Sequence, residues 1–447
     1  MSKEGAGIEV LKAELSGLFK EREYSLSEIG VCRGQTERVD NYVRLIREVL
    51  SCSSLCYVDE RMMFYDGRVY VETSPRQLSV LLSNILSPLG VGASDLRKVG
   101  DMPYSVIWER NFKMDPDRIC FTNCIYNISS DKSERFSSKS ITDYRLPYAY
   151  DSRSSCPKWD NFLCEVLPDE TERLCLQEFF GMCYIDRDAM SLEKFSVFIG
   201  GGSNGKSVVF DVIKGVMGKD RVSYLSPDQL MDSRQVVSVI GKKLNFAPDM
   251  RKGASFDSAL KALSSGQDIQ GWRLYSGNIV VKCPPLVFAL NELPRFRDVT
   301  SAFFRRMMLF SFDVTIPPHK QNKTLAAEII RDELPGIFLW IMEGRKRLLE
   351  NKGAFTRCEK MERNVESLRR RIWKEECPVL EYLERSGLSV HPCRDGQPFV
   401  KVPASSIFKG MGGEVSRDAI TRELTSYGVK RDRGTEVRYF LYKKTEI

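Results

Sequence analysis

The stretch FIGGGSNGKSVVF, residues 198–210, constrains this chain more than any other part of its sequence. It fits three glycine patterns at once. A dinucleotide-binding pattern, GxGxxG, and a phosphate-binding loop, GxxxxGKS, both begin at Gly200, and a hydrolase nucleophile turn, GxSxG, begins at Gly201. All three use glycine because the backbone turns sharply there, so the surrounding sequence has to decide between them.

The first and last of these patterns lack the partners that their chemistry needs. A dinucleotide fold places an acidic residue about 20 positions further on, at the end of a second strand. Asp220 has that spacing but precedes its strand, VSYL. A nucleophile turn needs a histidine base, and the chain has only His319 and His391, both beside prolines in loop-like stretches. These two alternatives therefore rest on the glycines alone.

The phosphate loop has its full context. The apolar strand KFSVFI precedes it, and SVVFDVIKGVMG begins a helix directly after Lys206. Backbone N–H groups of such a loop and a helix N-terminus favour phosphate. We expect Lys206 to reach the β and γ phosphates of ATP and Ser207 to ligate Mg²⁺. The residues expected to hold nucleotide are Gly200, Gly201, Gly202, Ser203, Asn204, Gly205, Lys206 and Ser207.

Hydrolysis needs further groups beside the γ-phosphate, and strand ends supply candidates. Asp249 follows the strand KKLNF, where it suits Mg²⁺ binding or water positioning, or serves as a helix cap. Asn291 ends the strand PLVFAL, where it suits orientation of the attacking water, or is a cap. Arg305 and Arg306 precede the strand MMLFSF, and we expect one to be an arginine finger and the other structural.

Short apolar strands that alternate with helical stretches predict a three-layer α/β sheet around the loop. Changes of hydrophobic period divide the rest of the chain. We expect a helical N-terminal element at 1–60, an α+β domain at 61–190, the motor at 191–353, a charged helical linker at 354–377 and a winged-helix-like module at 378–447.

Several local elements are also predicted. In the first part of the chain they are two helices between Ile8 and Leu50, two strands within 57–74 joined at Asp66-Gly67, strands at 106–110 and 119–128, and a loop at 129–142. Further on they are two helices separated near Pro168-Asp169, one helical segment at 325–353, a charged helix at 363–376, and three short helices followed by a hairpin around Arg433-Gly434.

Composition narrows the class of protein. The chain has 42% hydrophobic and 28% charged residues, no apolar run long enough to cross a bilayer and no signal peptide, so we expect a cytoplasmic location in the host cell. Its thirteen cysteines are then expected to be reduced thiols. A zinc site from Cys52, Cys56, Cys120 and Cys124 is a weaker alternative, because the two pairs lie far apart. A net charge of +7 permits a nucleic-acid partner.

With these elements in this order, the chain resembles the superfamily 3 helicases, in particular the poxvirus-like replicative helicases of phages, plasmids and other mobile elements. The similarity covers roughly residues 60–350. Before the loop it rests on FYDGRVYV, ICFTNCIYNI, LPYAYDSRSSCPKWDNFLCEVL and LQEFFGMCYI, and after it on GKKLNFAPDM, SSGQDIQGWRLYSGNIVVKCPPLVFALNELPRF, FFRRMMLFSF and ELPGIFLWIMEGRKRLL. It implies an α/β fold with a P-loop AAA+-like helicase core, an α+β N-terminal region and a C-terminal winged-helix-like module.

The resemblance also implies an activity: ATP-dependent movement on single-stranded DNA with 3′ to 5′ polarity, by a ring that is usually a hexamer. ATP would lie between subunits, and the arginine finger would act in trans. The implied partners are single-stranded DNA, replication forks, further copies of the chain and a separate primase or initiator. DIQGWRLYSGNIVVKC resembles the pore hairpin, with its turn at Ser276-Gly277 and with Arg273 and Lys282 as DNA contacts. A solvated surface hairpin is the alternative.

The chain departs from the family at two places. Many relatives have glycine where Cys124 stands, and many have a second acid where Ala247 and Pro248 precede Asp249. Two other functions stay open. They are a ring-forming DNA-dependent ATPase that loads or remodels without processive unwinding, and an origin-binding replication initiator.

The paired acids Asp115-x-Asp117 and Asp186-x-Asp188 mimic polymerase metal ligands. However, the residues before the motor contain no histidine, so we assign priming to another protein.

Overall fold

The computed structural model describes residues 3–21, 35–59, 61–89, 110–248, 255–256, 259–273, 277–291, 295–296, 301–376, 378–390, 398–412, 415–426, 429–433 and 437–443. The chain forms two units. The first comprises Met1–Ser155 and Leu334–Gly336, and the second comprises Cys156–Glu333 and Ile337–Ile447. Within the described ranges, no helix combines the length and the apolar character that crossing a membrane requires.

The first unit combines helices with two small sheets. Its elements are α1 (Lys3–Glu21), α2 (Gln35–Cys52), β1 (Leu55–Val58), β2 (Arg61–Tyr65), β3 (Tyr70–Glu72), α3 (Pro75–Leu86), β4 (Asn111–Phe112), β5 (Arg118–Cys120), β6 (Ile125–Asn127) and β7 (Lys132–Glu134). One sheet has the order β3-β2-β1-β4, and the other has the order β5-β6-β7. Alternate residues of β1 and β2, such as Leu55 and Phe64, pack against α1, α2 and α3.

The two predicted N-terminal helices are confirmed, as is the predicted strand turn at Asp66-Gly67, which joins β2 and β3. Three other details predicted in this unit are wrong. Residues 57–74 hold parts of three strands, because Asp59 has a φ of 48° and turns the chain before the predicted turn at Asp66-Gly67. Residues 119–128 fold back as the hairpin β5–β6, closed by a 2.8 Å bond from Phe121 N to Cys124 O. The predicted loop at 129–142 contains β7.

The polarity of β7 explains the last of these errors. β7 has two exposed residues out of three, so it shows no apolar alternation that could distinguish it from a loop. The strand predicted at 106–110 lies outside the described residues except for Arg110.

The second unit is built around a parallel sheet. Its elements up to the end of the sheet are α4 (Pro157–Val166), α5 (Glu170–Met182), β8 (Phe195–Ile199), α6 (Lys206–Met217), β9 (Val222–Ser223), α7 (Pro227–Met231), β10 (Leu244–Pro248), β11 (Ser255–Phe256), α8 (Ala259–Ser264), β12 (Asp268–Arg273), β13 (Gly277–Lys282), β14 (Leu286–Leu290), β15 (Arg295–Phe296), α9 (Ser301–Phe304) and β16 (Met307–Ser311). The predicted break between α4 and α5 is confirmed. Asp169 caps α5 by accepting hydrogen bonds from the N–H groups of Thr171 and Glu172.

The five strands of this sheet run parallel in the order β16-β8-β14-β10-β9, which confirms the α/β prediction. β8, β14 and β16 are buried almost along their whole length, because helices cover both faces of such a sheet. Since all five strands point the same way, their carboxyl ends meet at one edge. The residues directly after β8, β10 and β14 therefore all emerge at the carboxyl edge of the sheet.

The remaining elements are α10 (Leu325–Asp332), α11 (Leu334–Glu350), α12 (Glu359–Glu376), α13 (Pro378–Arg385), β17 (Leu388–Ser389), β18 (Phe399–Pro403), α14 (Ala404–Gly410), α15 (Arg417–Ser426), β19 (Arg431–Arg433) and β20 (Val437–Lys443). The helical segment predicted at 325–353 is confirmed, but it is divided at Glu333 into α10 and α11. Pro335, in the first turn of α11, cannot donate a backbone hydrogen bond to α10.

The C-terminal elements agree with the prediction of short helices followed by a hairpin. α13, α14 and α15 form, and β19 pairs antiparallel with β20. The sequence missed β17 and β18, which also pair with β20. The winged-helix assignment of this module stays a prediction.

Candidate functional site

The loop between β8 and α6 has a backbone shape that requires glycine at its last position. Gly205 caps α6 with a φ of 90°, in the left-handed region. A Cβ atom at this position would lie 2.8 Å from Val166 Cγ1 and 2.9 Å from Phe162 Cζ, both on α4. Ser203 also has a positive φ, 58°. The loop therefore curls back tightly before the helix begins.

Hydrogen bonds fix this loop to its neighbours in the sheet. Gly200 N donates to Leu290 O at the end of β14, and Ile316 N donates to Ser203 O at 2.9 Å. The Asn204 side chain is buried, and its Nδ2 donates to Phe312 O at 3.1 Å. The loop is thus held from both flanking strands, β14 and β16.

The Lys206 ammonium, at the first residue of α6, is directed into the loop. Its Nζ donates to Gly200 O at 2.6 Å, to Gly201 O at 3.0 Å and to Asn204 Oδ1 at 3.1 Å. A lysine in this position presents a positive charge to the same concave space that the loop encloses.

The loop forms one wall of a cleft of about 630 Å³. The structure brings Gly201 to Ser207 and Asn291 together there, whereas Gly200 is not among the lining residues. β14 lies between β8 and β10, so Asn291 emerges between the loop and the end of β10. Pro248, the last residue of β10, also lines the cleft. Asp249 follows it but lies outside the described residues.

The sequence missed two further walls of the cleft. Phe162 and Glu165 reach it from α4, and residues 316–325 close it through Ile316, Gln321, Asn322, Lys323 and Leu325. The resemblance of LPYAYDSRSSCPKWDNFLCEVL to the family was a signal for the first wall. The polar loop before α10 offers no pattern that could have revealed the second.

The predicted arginine pair lies at the other edge of the sheet. Arg305 and Arg306 precede β16, which runs parallel to β8, and Phe195 N at the start of β8 donates to Arg306 O at 2.9 Å. The loop begins after Ile199, so about 13 Å of strand separates the pair from the loop. Neither guanidinium belongs to the cleft of its own chain.

The two arginines differ in their surroundings. The Arg306 side chain is only 11% exposed, donates to Ala302 O at 2.7 Å and lies 2.7 Å from Glu193. The Arg305 side chain is 67% exposed and lies 3.6 Å from the same carboxylate. Lys194 Nζ donates to the backbone carbonyl of Arg305 at 2.6 Å. The sequence could not tell these neighbours apart, since burial depends on the fold.

The hairpin predicted from 268 to 283 is confirmed as a hairpin, with β12 and β13 antiparallel. Arg273 pairs with Gly277 beside the turn and is exposed, while Ser276 lies outside the described residues. Lys282 lies opposite Asp268 at the base, forms an ion pair with Asp188, and this hydrogen bond raises its pKa. The two predicted cations therefore occupy opposite ends of the hairpin.

The remaining acidic and cysteine candidates have local partners. Asp115 accepts a 2.7 Å hydrogen bond from Arg118, and Asp117 accepts one from Ser129. Burial raises the pKa of the Cys56 and Cys120 thiols to about 11. Among the described residues, no group of three or more His, Cys, Asp and Glu side chains is placed to hold a metal ion.

Comparison with known proteins adds two family matches. Residues 106–168 match the family described as "D5 N terminal like", and residues 198–306 match a "Family of unknown function (DUF5906)". The first match contains ICFTNCIYNI and all of LPYAYDSRSSCPKWDNFLCEVL. The second match runs from the end of β8 through the loop to Arg306.

Several solved structures of one protein are also similar. The A-form apo structure of the NrS-1 C-terminal region shares 12% identity with a TM-score of 0.45, over 88% of this chain and 96% of that chain. A second A-form apo structure of that region, spanning 305–718, shares 13% identity over 87% and 96%, also with a TM-score of 0.45. Of these comparisons, the D5-type match falls on stretches for which the sequence predicted a family resemblance.

Proposed function

We propose that this protein is an ATP-driven replicative DNA helicase of a phage, plasmid or other mobile element. The observation that carries the proposal is the cleft in which the Gly205 turn, the Lys206 ammonium and the Asn291 amide converge on one concave space. The D5 N-terminal-like match before this cleft supports the same family of functions.

In this proposal the loop holds the phosphates of ATP. Backbone N–H groups at the start of α6 face the anion, and Lys206 exchanges its present acceptors, the loop carbonyls and Asn204, for the more negative β and γ oxygens. Ser207 and Asp249 hold Mg²⁺, which neutralises developing charge when it is bound. Asn291, on the adjacent strand, orients the attacking water.

The position of the arginines supports a shared site. Because Arg305 lies at the sheet edge opposite the loop, it serves a nucleotide held by a neighbouring copy of the chain. We assign the finger to Arg305, which is exposed, and the structural role to Arg306, which Glu193 and Ala302 hold. A ring of copies, hexameric by resemblance, would complete every site in this way.

The hairpin β12–β13 is the proposed contact with single-stranded DNA, with 3′ to 5′ movement expected. Arg273 beside its turn is the better placed cation, since Lys282 is already paired with Asp188 at the base. If DNA binding at the hairpin depends on charge, Arg273 contributes more to the binding free energy than Lys282 does.

The test is a comparison of wild type, Lys206→Ala and Lys214→Ala in ATP hydrolysis and in unwinding of a 3′-tailed fork. We expect Lys206→Ala to abolish both activities. Lys214 lies two turns further along α6, over the rings of Phe210 and Tyr224, and its replacement should leave both activities near wild type.

Absence of DNA-stimulated hydrolysis in the wild type would contradict the proposal. Normal hydrolysis without strand separation would instead support the loading or remodelling ATPase.

A further inference from the structure

The outer face of the C-terminal sheet combines exposed aromatic rings with cations. Side chains directly opposite each other on β18 and β20 share a face, and the register pairs Phe399 with Tyr442, Lys401 with Phe440 and Pro403 with Arg438. The intervening residues Tyr439 and Leu441 are fully buried in the core of the module. Asp432 on β19 lies opposite Arg438 and shares this face. We call Phe399, Lys401, Asp432, Arg438, Phe440 and Tyr442 the outer face.

The rings of this face are close together, with Phe399 exposed and Phe440 and Tyr442 half-buried. Phe399 is 52% exposed, and its ring centroid lies 4.7 Å from that of Phe440. Lys401 Nζ lies 5.2 Å from the centroid of Phe440 and 3.0 Å from Asp432. A single exposed phenylalanine needs no explanation, but neighbouring rings interleaved with cations on a flat sheet form a surface with defined chemistry.

We propose that the outer face binds single-stranded nucleic acid, with bases stacked on Phe399 and Phe440 and with a phosphate contacted by Arg438. Aromatic platforms flanked by positive charge bind single strands in this way, without a need for a particular sequence. The surrounding module has twelve Lys and Arg against nine Asp and Glu between 378 and 447, a net charge of +3 that is compatible with a polyanionic ligand.

This site is separate from the hairpin β12–β13 and needs no nucleotide, so it goes beyond the proposed function and does not depend on it. The outer face is also distinct from helix α15. Side chains of that helix, such as Arg422, lie on another surface of the module.

The first test measures binding of a fluorescent oligothymidylate of about 16 nucleotides to the full chain without ATP. We expect Phe399→Leu and Phe440→Leu each to weaken binding about fivefold or more, since leucine keeps the apolar surface but loses the stacking face. Phe399→Trp should retain wild-type affinity, and Arg422→Ala on α15 is the matched control. The two leucine substitutions are expected to weaken binding by the same factors when Arg273→Ala is also present, a change that weakens the hairpin site.

The second test locates the contact directly. An oligonucleotide that carries 5-iodouracil is irradiated with the protein, and the cross-linked peptides are identified by mass spectrometry. We expect cross-links within 399–403 and 437–443.

Leucine variants that bind the single strand as tightly as wild type would overturn the proposal, as would cross-links confined to other segments. A loss of duplex binding equal to the loss of single-strand binding would contradict the stacking mechanism.

Discussion

Gly205 is the residue at which the backbone, rather than a side chain, decides the geometry of the cleft. Its positive φ and the close approach of Phe162 and Val166 leave no room for a Cβ atom. Gly201, four positions earlier, has no neighbouring atom within 4 Å of such a Cβ. The two glycines therefore have different reasons to be glycine.

We expect Gly205→Ala to lower the free energy of unfolding by about 1–3 kcal/mol, because alanine in this conformation is strained and its methyl group meets α4. Binding of a fluorescent ATP analogue should fall with it, since the start of α6 would shift. Gly201→Ala is the control for stability and should change it by less than about 0.5 kcal/mol. Denaturant unfolding and equilibrium binding measure both effects. Equal stability of the two variants would contradict the strained turn.

At this scale the sequence predicted the strand–loop–helix order around residues 200–207, because its pattern is local. Gly201 to Ser207 and Asn291 line one cleft, as expected from the strand–loop–helix context. Phe162 and Glu165 come from some 40 positions upstream, and no periodicity links them to the loop. The difference between Arg305 and Arg306 likewise depends on which one the fold buries.

Among the elements, helix α15 carries a carboxylate with a perturbed pKa. Glu423 accepts a hydrogen bond from Leu380 N at the start of α13, and partial burial raises its pKa from 4.5 to about 6. Between these values the folded module holds a proton that the unfolded chain has lost. This contribution to stability is therefore present below about pH 4.5 and is lost as the pH rises through 6.

We expect protection of the α13 and α15 amides against hydrogen exchange to weaken, after correction for the intrinsic rate, when the pH is raised from 5 to 7. Glu423→Gln should remove this dependence and increase protection at neutral pH, since glutamine keeps an acceptor for Leu380 N without a charge to bury. Glu381→Gln, on α13, is the control. Glu381 forms an ion pair with the exposed Arg385, so its replacement should leave the pH dependence in place. A variant at 423 with the wild-type profile would show that another group is responsible.

Elements with a strong apolar period were predictable, and short polar ones were not. The buried strands β8, β14 and β16 stand out as apolar runs, and α12 was expected within a charged segment with helical spacing. β7 and β17 have three and two residues, too few for a period to show. Their formation depends on the partner strands β6 and β20, which only the tertiary fold supplies.

For the whole molecule, the separation of Arg305 from the loop predicts complementation between defective chains. In the proposed mechanism, Lys206→Ala lacks the phosphate ligand but keeps the arginine finger, and Arg305→Ala lacks the finger but keeps the loop. Each alone should have at most about a thousandth of wild-type turnover. An equimolar mixture should regain activity, because an Arg305→Ala loop can meet the arginine of a Lys206→Ala neighbour.

The measurement is ATP hydrolysis as a function of the mixing ratio. As a control, Lys214→Ala is used as the mixing partner, and it should give no complementation pattern of its own. Arg305→Ala should still bind nucleotide, which separates loss of the finger from loss of folding. A mixture no more active than its components would contradict the shared site.

The phosphate loop and Arg305 lie at opposite edges of the parallel sheet, so the two ends of each chain carry different groups. Copies that join in this way make a heterologous contact, which closes only if the rotation between neighbours returns to the start and otherwise grows as a helical filament. An open row always has one loop without an arginine and one arginine without a loop, so it holds one complete site fewer than it has subunits. Closure into a ring would add that last site without any new type of contact. Among open rows, the missing site is the largest fraction of all sites in the shortest row, so the shortest rows should be the least active per chain.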